Sequence, residues 1–121
     1  MRVVIVDDQA AFRSAARLVV EMSDGFEVVG EAVTGEDAVN MVADLDPDLV
    51  LMDVNLPGID GLEATRRIIA SGARARILVL STYSASEYES AATSAGAIGF
   101  VTKDERIRAF ARSERDVRTV W

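Results

Sequence analysis

Short apolar runs that alternate with segments of helical spacing constrain the fold of this chain more than any other feature. The runs are predicted strands and lie at residues 3–6, 26–31, 49–52, 77–80 and 98–101. Runs rich in Val, Ile and Leu are typical of strands that are buried on both faces of a sheet. Five strands alternating with five helices predict one α/β domain with a parallel sheet and helices on both faces.

Capping residues mark where the intervening helices begin and end. Ser, Thr or Asp followed three positions later by an acidic residue favours a helix start, because both side chains bond to free backbone N–H groups. The first helix is predicted over residues 11–22 and the last from about Asp104 onward. The other starts are Thr34 with Asp37, Asp60 with Glu63, and Ser84 with Glu87, and the ends are marked by Pro47 and Gly96.

Four of the predicted strands are followed by a charged or hydroxyl-bearing residue. In an open parallel sheet the ligand site lies beyond the carboxyl ends of the strands, where the strand order reverses. The second strand provides no such residue. A strand order of 2-1-3-4-5 explains this, because it makes the second strand an edge strand. The residues concerned are Asp7, Asp8, Asp53, Ser81 and Lys103.

Three carboxylates that meet at one point need a cation. Two unit charges about 4 Å apart repel by roughly 4 kcal/mol at an effective dielectric constant of about 20. Mg²⁺ prefers carboxylate, water and phosphate oxygens, and Lys103 adds a second positive charge. Metal, cation, hydroxyl and a nucleophilic carboxylate suit phosphoryl transfer, with Asp53 as the nucleophile. Taken singly, each of these residues is commonly a helix cap or a solvated side chain; their joint placement argues for a site.

The composition argues against several other functions. The formal net charge is −7 and the isoelectric point about 4.5, which disfavours direct binding to nucleic acid. The chain has no Cys and no His, which excludes a thiol nucleophile, histidine-bound zinc and a Ser-His-Asp triad. Neither a signal peptide nor a membrane-spanning run is predicted. We therefore expect a cytoplasmic protein without a membrane partner.

Four segments together resemble response-regulator receiver domains over residues 2–104. They are VDDQ at 6–9, DLVLMDVNLPGIDG at 48–61, LS at 80–81 and GAIGFVTK at 96–103. Details are similar to the NarL/FixJ (LuxR-type) subfamily: Gln9 with Arg13, residues 25–32, residues 61–67, and Asp104 directly after Lys103. The resemblance implies a flavodoxin-like (βα)5 doubly wound parallel sheet, order 2-1-3-4-5, for one receiver domain at residues 1–121, with no DNA-binding domain in this chain.

The resemblance also implies a role for each residue. Asp53 is the expected phosphoacceptor, with Mg²⁺ held by Asp8, Asp53, the backbone carbonyl of Asn55 and, through water, Asp7. Lys103 and Ser81 are expected to bind the phosphoryl group. The switch would consist of Ser81 and Phe100, and access to the phosphoryl group would be tuned by Asn55, Thr82 and Tyr83.

The function implied by the resemblance is that of a signalling switch, which catalyses only its own phosphorylation and dephosphorylation. The expected partners are a sensor histidine kinase and a second copy of the chain after phosphorylation. The output surface would include the fourth helix, fifth strand and fifth helix, and the output would be transcription through a helix-turn-helix domain absent from residues 1–121. Whether these residues are an excised domain or a stand-alone receiver stays open.

Two other functions are considered. A haloacid-dehalogenase-like phosphatase also uses Asp, Ser or Thr, Lys and Mg²⁺, but its first strand ends in Asp-x-Asp, whereas Asp7 and Asp8 are adjacent. A degenerate receiver that binds partners without phosphorylation usually lacks one of the acids or the lysine, and all are present here. The arginines at positions 108, 112 and 115 lie on one face of the last predicted helix, as either a partner surface or a solvated face.

Overall fold

The computed structural model describes residues 1–82 and 86–103, and within these ranges strands and helices alternate along the chain. The strands are β1 Arg2–Val6, β2 Glu27–Ala32, β3 Leu49–Asp53, β4 Arg76–Ser81 and β5 Gly99–Thr102. The helices described are α1 Ala10–Glu21, α2 Gly35–Leu45, α3 Gly61–Ala70 and α4 Ser86–Ala95. The predictions for Tyr83, Ser84 and the last helix with its three arginines lie outside the described residues.

The five strands form one parallel sheet in the order β2-β1-β3-β4-β5. This order and the α/β fold class confirm the predictions from the sequence. Val6 of β1 lies opposite Met52 of β3, and Asp53 lies opposite Leu80 of β4. Because the strands end nearly in line, the residues that follow them meet at one end of the sheet, here named the carboxyl end.

Helices cover both faces of the sheet, and successive side chains of a strand point to opposite faces, so the buried residues form two clusters. One cluster includes Val4, Val50, Ile77 and Val79 and contains buried residues of α2, α3 and α4. The other includes Ile5, Leu51 and Leu80 together with Ala16 and Val20 of α1. Burial of each large aliphatic side chain contributes about 1.5–3 kcal/mol, so the strands that carry the site rest on a rigid core.

Capping hydrogen bonds confirm two of the predicted helix starts. Thr34 Oγ1 accepts a hydrogen bond from the backbone N–H of Asp37 at 3.0 Å, and Asp60 Oδ1 accepts one from that of Glu63 at 2.8 Å. Several bounds differ by one residue: α1 begins and ends one residue earlier than predicted, and β2 and β5 lie one residue later. Helix α2 ends before Pro47 because Asp46 adopts the left-handed conformation, with φ of 47°.

None of the helices among the described residues is long and apolar enough to cross a membrane.

Candidate functional site

Three aspartates meet at the carboxyl end of the sheet. Asp7 and Asp8 follow β1, and Asp53 is the last residue of the neighbouring strand β3. One carboxylate oxygen from each lies within 4.8 Å of the others. Asp7 is 0% and Asp53 3% exposed, whereas Asp8 is exposed. The structure therefore brings together the three acids that the sequence predicted, in a pocket that is open on the side of Asp8.

Lys103, directly after β5, reaches into the same pocket. Its Nζ lies 2.7 Å from Asp7 Oδ2 and 3.5 Å from Asp53 Oδ1. The side chain is almost buried, and Nζ also lies 4.6 Å from the centre of the Phe12 ring and 3.5 Å from Gln9 Oε1. A cation over an aromatic face is stabilised by the ring quadrupole. The start of α1 therefore helps to hold the lysine among the acids.

The pKa of Asp53 reflects first the burial of its carboxylate and then the charges around it. Burial, and then the nearby charge of Asp7, raise the pKa of Asp53 to about 6. The charge of Lys103 and hydrogen bonds from Lys103 and from the backbone N–H of Asn55 oppose this increase without cancelling it. Negative charge in excess of one lysine is the electrostatic condition under which a divalent cation would bind.

The donor atoms fit a hard divalent cation. Asp7 Oδ2 is buried and, among the described residues, accepts no hydrogen bond; its contact with Lys103 is an ion pair. Three carboxylates within reach of one point provide only oxygen ligands, the type that Mg²⁺ and Ca²⁺ select. The acidic cluster can therefore bind a metal ion.

The loop after Asp53 is held by backbone contacts that leave no room for a side chain at Gly61. The backbone N–H of Val54 donates to the Leu80 carbonyl at 3.0 Å, and that of Gly61 donates to the Val54 carbonyl at 2.8 Å. A Cβ at Gly61 would overlap the backbone carbonyl of Asp53. Glycine is therefore needed where α3 begins, and the close approach fixes the backbone at Asp53.

The remaining predicted residues differ in their burial. Ser81 ends β4 next to β3 and is fully buried. Phe100 of β5 is half-buried and packs against the core cluster on the α2, α3 and α4 side. Asn55 and Thr82 are exposed. These positions are compatible with the predicted roles, although no contact of these side chains tests the roles directly. Tyr83 lies outside the described residues.

Three residues at the start of α1 contribute contacts that the sequence did not predict. Gln9 and Phe12 contact Lys103, and a guanidinium N–H of Arg13 donates to the backbone carbonyl of Asp7 at 2.8 Å. In the sequence, Gln9 and Arg13 stand out only as features of the NarL/FixJ subfamily, and Phe12 only as an apolar residue with helical spacing. Their nearness to Asp7 in the sequence was the available signal, but their contacts depend on how α1 packs across the ends of β1 and β2.

A parallel sheet in this order, with an acidic cluster and a lysine at its carboxyl end, defines the class of receiver-type α/β folds. A family model described as response regulator receiver domain matches residues 3–112. The chain belongs to the response regulator receiver domain family.

Relatives and solved structures agree with this assignment. Response regulator UvrY of Escherichia coli is 41% identical over 103 residues, which are 85% of this chain and 47% of that protein. Transcriptional regulatory protein DegU of Brevibacillus brevis is 36% identical over 104 residues, which are 86% of this chain and 44% of that protein. The chain thus spans about half the length of the curated relatives that it matches.

Two solved structures are similar to this chain in both fold and sequence. A LuxR-family two-component response regulator from Aurantimonas superimposes with a TM-score of 0.83 at 32% identity, covering 98% of this chain and 97% of that one. The receiver domain of NarL from Mycobacterium tuberculosis gives a TM-score of 0.88 at 28% identity, covering 98% and 94%. The chain is a two-component receiver domain related to transcriptional regulators, and the predicted NarL/LuxR relationship is confirmed.

Proposed function

We propose that this receiver domain accepts a phosphoryl group on Asp53 in the presence of Mg²⁺, and that a sensor histidine kinase supplies the group. The observation that carries the proposal is the convergence of Asp7, Asp8 and Asp53 with Lys103. A nucleophile, metal ligands and a cation are the parts that phosphoryl transfer needs, because its catalysis is mainly positioning and charge stabilisation.

The ligands proposed for Mg²⁺ are the carboxylates of Asp8 and Asp53 and the backbone carbonyl of Asn55, with Asp7 acting through water. Bound Mg²⁺ would neutralise charge on the phosphoryl oxygens. The exposure of Asp8 supports this assignment, since Mg²⁺ commonly keeps several of its waters. The burial of Asp7 supports a role in orienting those waters.

The transfer itself is a displacement at phosphorus. An oxygen of Asp53 forms a bond to phosphorus while the bond from phosphorus to the donor's histidine nitrogen breaks, and that nitrogen keeps the electron pair and takes up a proton. Lys103 is already 3.5 Å from Asp53, so a small movement away from Asp7 would bring its ammonium to a phosphoryl oxygen. The hydroxyl of Ser81 would donate a hydrogen bond to another phosphoryl oxygen.

The new acyl phosphate would then change the surface around β4, α4 and β5. Phosphorylation adds charge and three acceptor oxygens, which draw Ser81 and Lys103 toward Asp53. Movement of Ser81 makes room for Phe100, a half-buried residue on β5, to turn inward. Exposed Asn55 and Thr82, with Tyr83, would control how readily water reaches the phosphoryl group. The altered surface would support a homodimer.

The output proposed is control of transcription in the cytoplasm. The relatives are named response regulators and transcriptional regulatory proteins and are about twice as long as the matched segment. Residues 1–121 would act as one receiver domain within such a system, with a helix-turn-helix domain as the output. The domain would be a signalling switch that catalyses only its own phosphorylation and dephosphorylation.

The test is to incubate the protein with acetyl phosphate, with and without Mg²⁺, and to record its intact mass. The expected result is a magnesium-dependent gain of one phosphoryl group that Asp53→Asn abolishes. Asp60→Asn is the matched control, because Asp60 is an exposed cap of α3 outside the pocket. Absence of any gain in the unmodified protein would contradict the proposal and favour an interaction module that works without phosphorylation.

A further inference from the structure

We propose that Arg13 is a positioning residue for the magnesium site: it ties the Asp7–Asp8 turn to the outer strand β2 and thereby strengthens Mg²⁺ binding. This inference rests on the proposed function, since it concerns the same acidic pocket. It assigns a role to a residue of α1 that does not itself belong to the acidic cluster.

The guanidinium of Arg13 links the turn after β1 to a side chain of β2. One terminal N–H donates to the Asp7 carbonyl at 2.8 Å, while Nε–H donates to Glu31 Oε1 at 3.2 Å. Glu31 belongs to β2, where it lies opposite Ile5 of β1. The ion pair is partly sheltered, with side-chain exposures of 19% and 27%. The planar guanidinium presents several N–H groups in a fixed fork, so both bonds restrain one geometry.

The Asp7 backbone is held on both sides by these contacts. Its N–H donates to the Ala32 carbonyl of β2 at 3.1 Å, and its carbonyl accepts from Arg13. The Asp7 carboxylate then accepts the backbone N–H of Gln9 at 2.8 Å. The peptide between Asp7 and Asp8 sets the direction of both carboxylates. An anchor on its carbonyl therefore limits how far either acid can turn from the metal.

The energetic reason is that metal ligands need accurate placement before the ion arrives. Groups that orient ligands without touching the metal commonly change its affinity by about 10- to 100-fold when they are removed. Arg13 opposes this gain only partly through its positive charge, because the carboxylate of Glu31, its ion-pair partner, offsets that charge. Positioning is therefore expected to outweigh the direct repulsion between Arg13 and the metal ion.

Arg17 offers a matched control on the same helix. Its Nε–H donates to the other oxygen of Glu31 at 2.6 Å, and a terminal N–H donates to Glu21 at 2.8 Å. Arg13 and Arg17 thus share one carboxylate, and either substitution by Met removes one positive charge. Only the Arg13 side chain is bonded to the Asp7 carbonyl among the contacts of the described residues. Comparison of the two variants separates the anchoring of the turn from the loss of an ion pair.

The experiment is a Mg²⁺ titration of the unmodified protein, Arg13→Met and Arg17→Met, followed by amide chemical shifts. Arg13→Met is expected to weaken binding about tenfold, while Arg17→Met should stay within about twofold, as expected for an exposed ion pair. Thermal unfolding without metal checks that both variants are folded. Equal Mg²⁺ affinities for the two variants, or tighter binding by Arg13→Met, would overturn the proposal.

A second measurement needs no metal. Hydrogen exchange at the Gln9 amide reports whether the turn is held, because that N–H is bonded to Asp7 Oδ1. Exchange should be faster in Arg13→Met than in Arg17→Met, and equal rates would show that Arg13 does not restrain the turn. If the unmodified protein fails to bind Mg²⁺, the proposed function fails, whereas the exchange rates still decide whether Arg13 holds Asp7.

Discussion

The two ends of the sheet use the same kinds of charged residue with opposite effects. At the amino end of the sheet, where the strands begin, Asp48 accepts the backbone N–H of Arg2 at 2.7 Å and an Arg74 N–H at 2.7 Å. The Arg2 backbone bond, and then the Arg74 bond, lower the pKa of Asp48. At the carboxyl end, burial and the charge of Asp7 raise the pKa of Asp53. The pKa of the aspartate just before β3 and that of the aspartate at its end are therefore shifted in opposite directions.

The difference shows that charged side chains stabilise the fold at the amino end and reduce the stability of the metal-free fold at the carboxyl end. At the amino end the acids have cationic partners, since Arg74 also forms an ion pair with Asp46 at 3.0 Å. The Arg2 side chain donates hydrogen bonds to the carbonyls of Leu45 and Asp46. The carboxyl end keeps acids close together with one lysine between them. Unfavourable charge repulsion of this kind is retained at functional sites, and its cost is offset elsewhere in the fold. Four predictions test the comparison, beginning with the largest effect.

Removal of the central cation should cost most. Lys103→Met leaves the buried Asp7 carboxylate unpaired, which is expected to lower the free energy of unfolding by about 3 kcal/mol without metal. Arg74→Met removes a cation from the exposed ion pairs at the amino end, where water and salt screen the charges, and should cost much less. Urea unfolding in a chelating buffer measures both. Similar costs at the two ends would contradict the comparison.

Removal of a negative charge should have opposite signs at the two ends. Asp53→Asn is expected to stabilise the metal-free protein near neutral pH by roughly 2 kcal/mol, after allowance for solvent screening, because its charged form is disfavoured by burial. Asp48→Asn should destabilise the protein by about 1 kcal/mol, because it weakens two charge-assisted hydrogen bonds. The same unfolding measurements apply, and stabilisation by both substitutions would show that net charge alone decides the result.

The pH dependence should separate the two aspartates further. Because folding raises the pKa of Asp53 from 3.8 to about 6, its contribution to stability is full below pH 3.8 and is lost as the pH rises through about 6. Asp48 has a lowered pKa, so its contribution is present above pH 3.8 and is lost as the pH falls below that value. The difference in unfolding free energy between Asp53→Asn and the unmodified metal-free protein should therefore grow between about pH 4 and pH 7. A constant difference would contradict the raised pKa.

The smallest effect concerns the aromatic support of the lysine. Phe12→Leu keeps an apolar side chain at this position but removes the ring that lies 4.6 Å from Lys103 Nζ, and it should cost about 0.5–1 kcal/mol from the lost cation–π contact. Because the substitution also changes packing, a double-mutant cycle with Lys103→Met isolates the contact. Coupling near zero would show that Phe12 only fills space beside the pocket.

Much of the fold and the site was predictable because it depends on local patterns. Apolar runs predicted all five strands to within a residue or two, and the Thr34 and Asp60 caps were predicted from residue type and spacing. The convergence of Asp7, Asp8 and Asp53 followed from the rule that parallel strands end together. These inferences need only the period of the side chains and the direction of the strands.

The contacts of Gln9, Phe12 and Arg13 were not predictable in the same way. Each depends on how α1 lies across the ends of β1 and β2, which is set by packing of Ala16 and Val20 against the sheet. The left-handed Asp46 that ends α2 was missed as well, because an aspartate before proline carries no specific signal for that conformation. Side chains distant in sequence, such as Gln9 and Lys103, become neighbours only after the sheet forms.

The sequence by itself determined the five strands, their order and the identity of the acidic cluster, because these follow from hydrophobic periodicity and from which residues end the strands. The tertiary structure alone decided the electrostatics. It buried Asp7 and Asp53, placed Lys103 between them and left Asp48 paired at the opposite end. The physical reason is that a pKa depends on desolvation and on distances to other charges, and both arise only when separate strands and helices pack together.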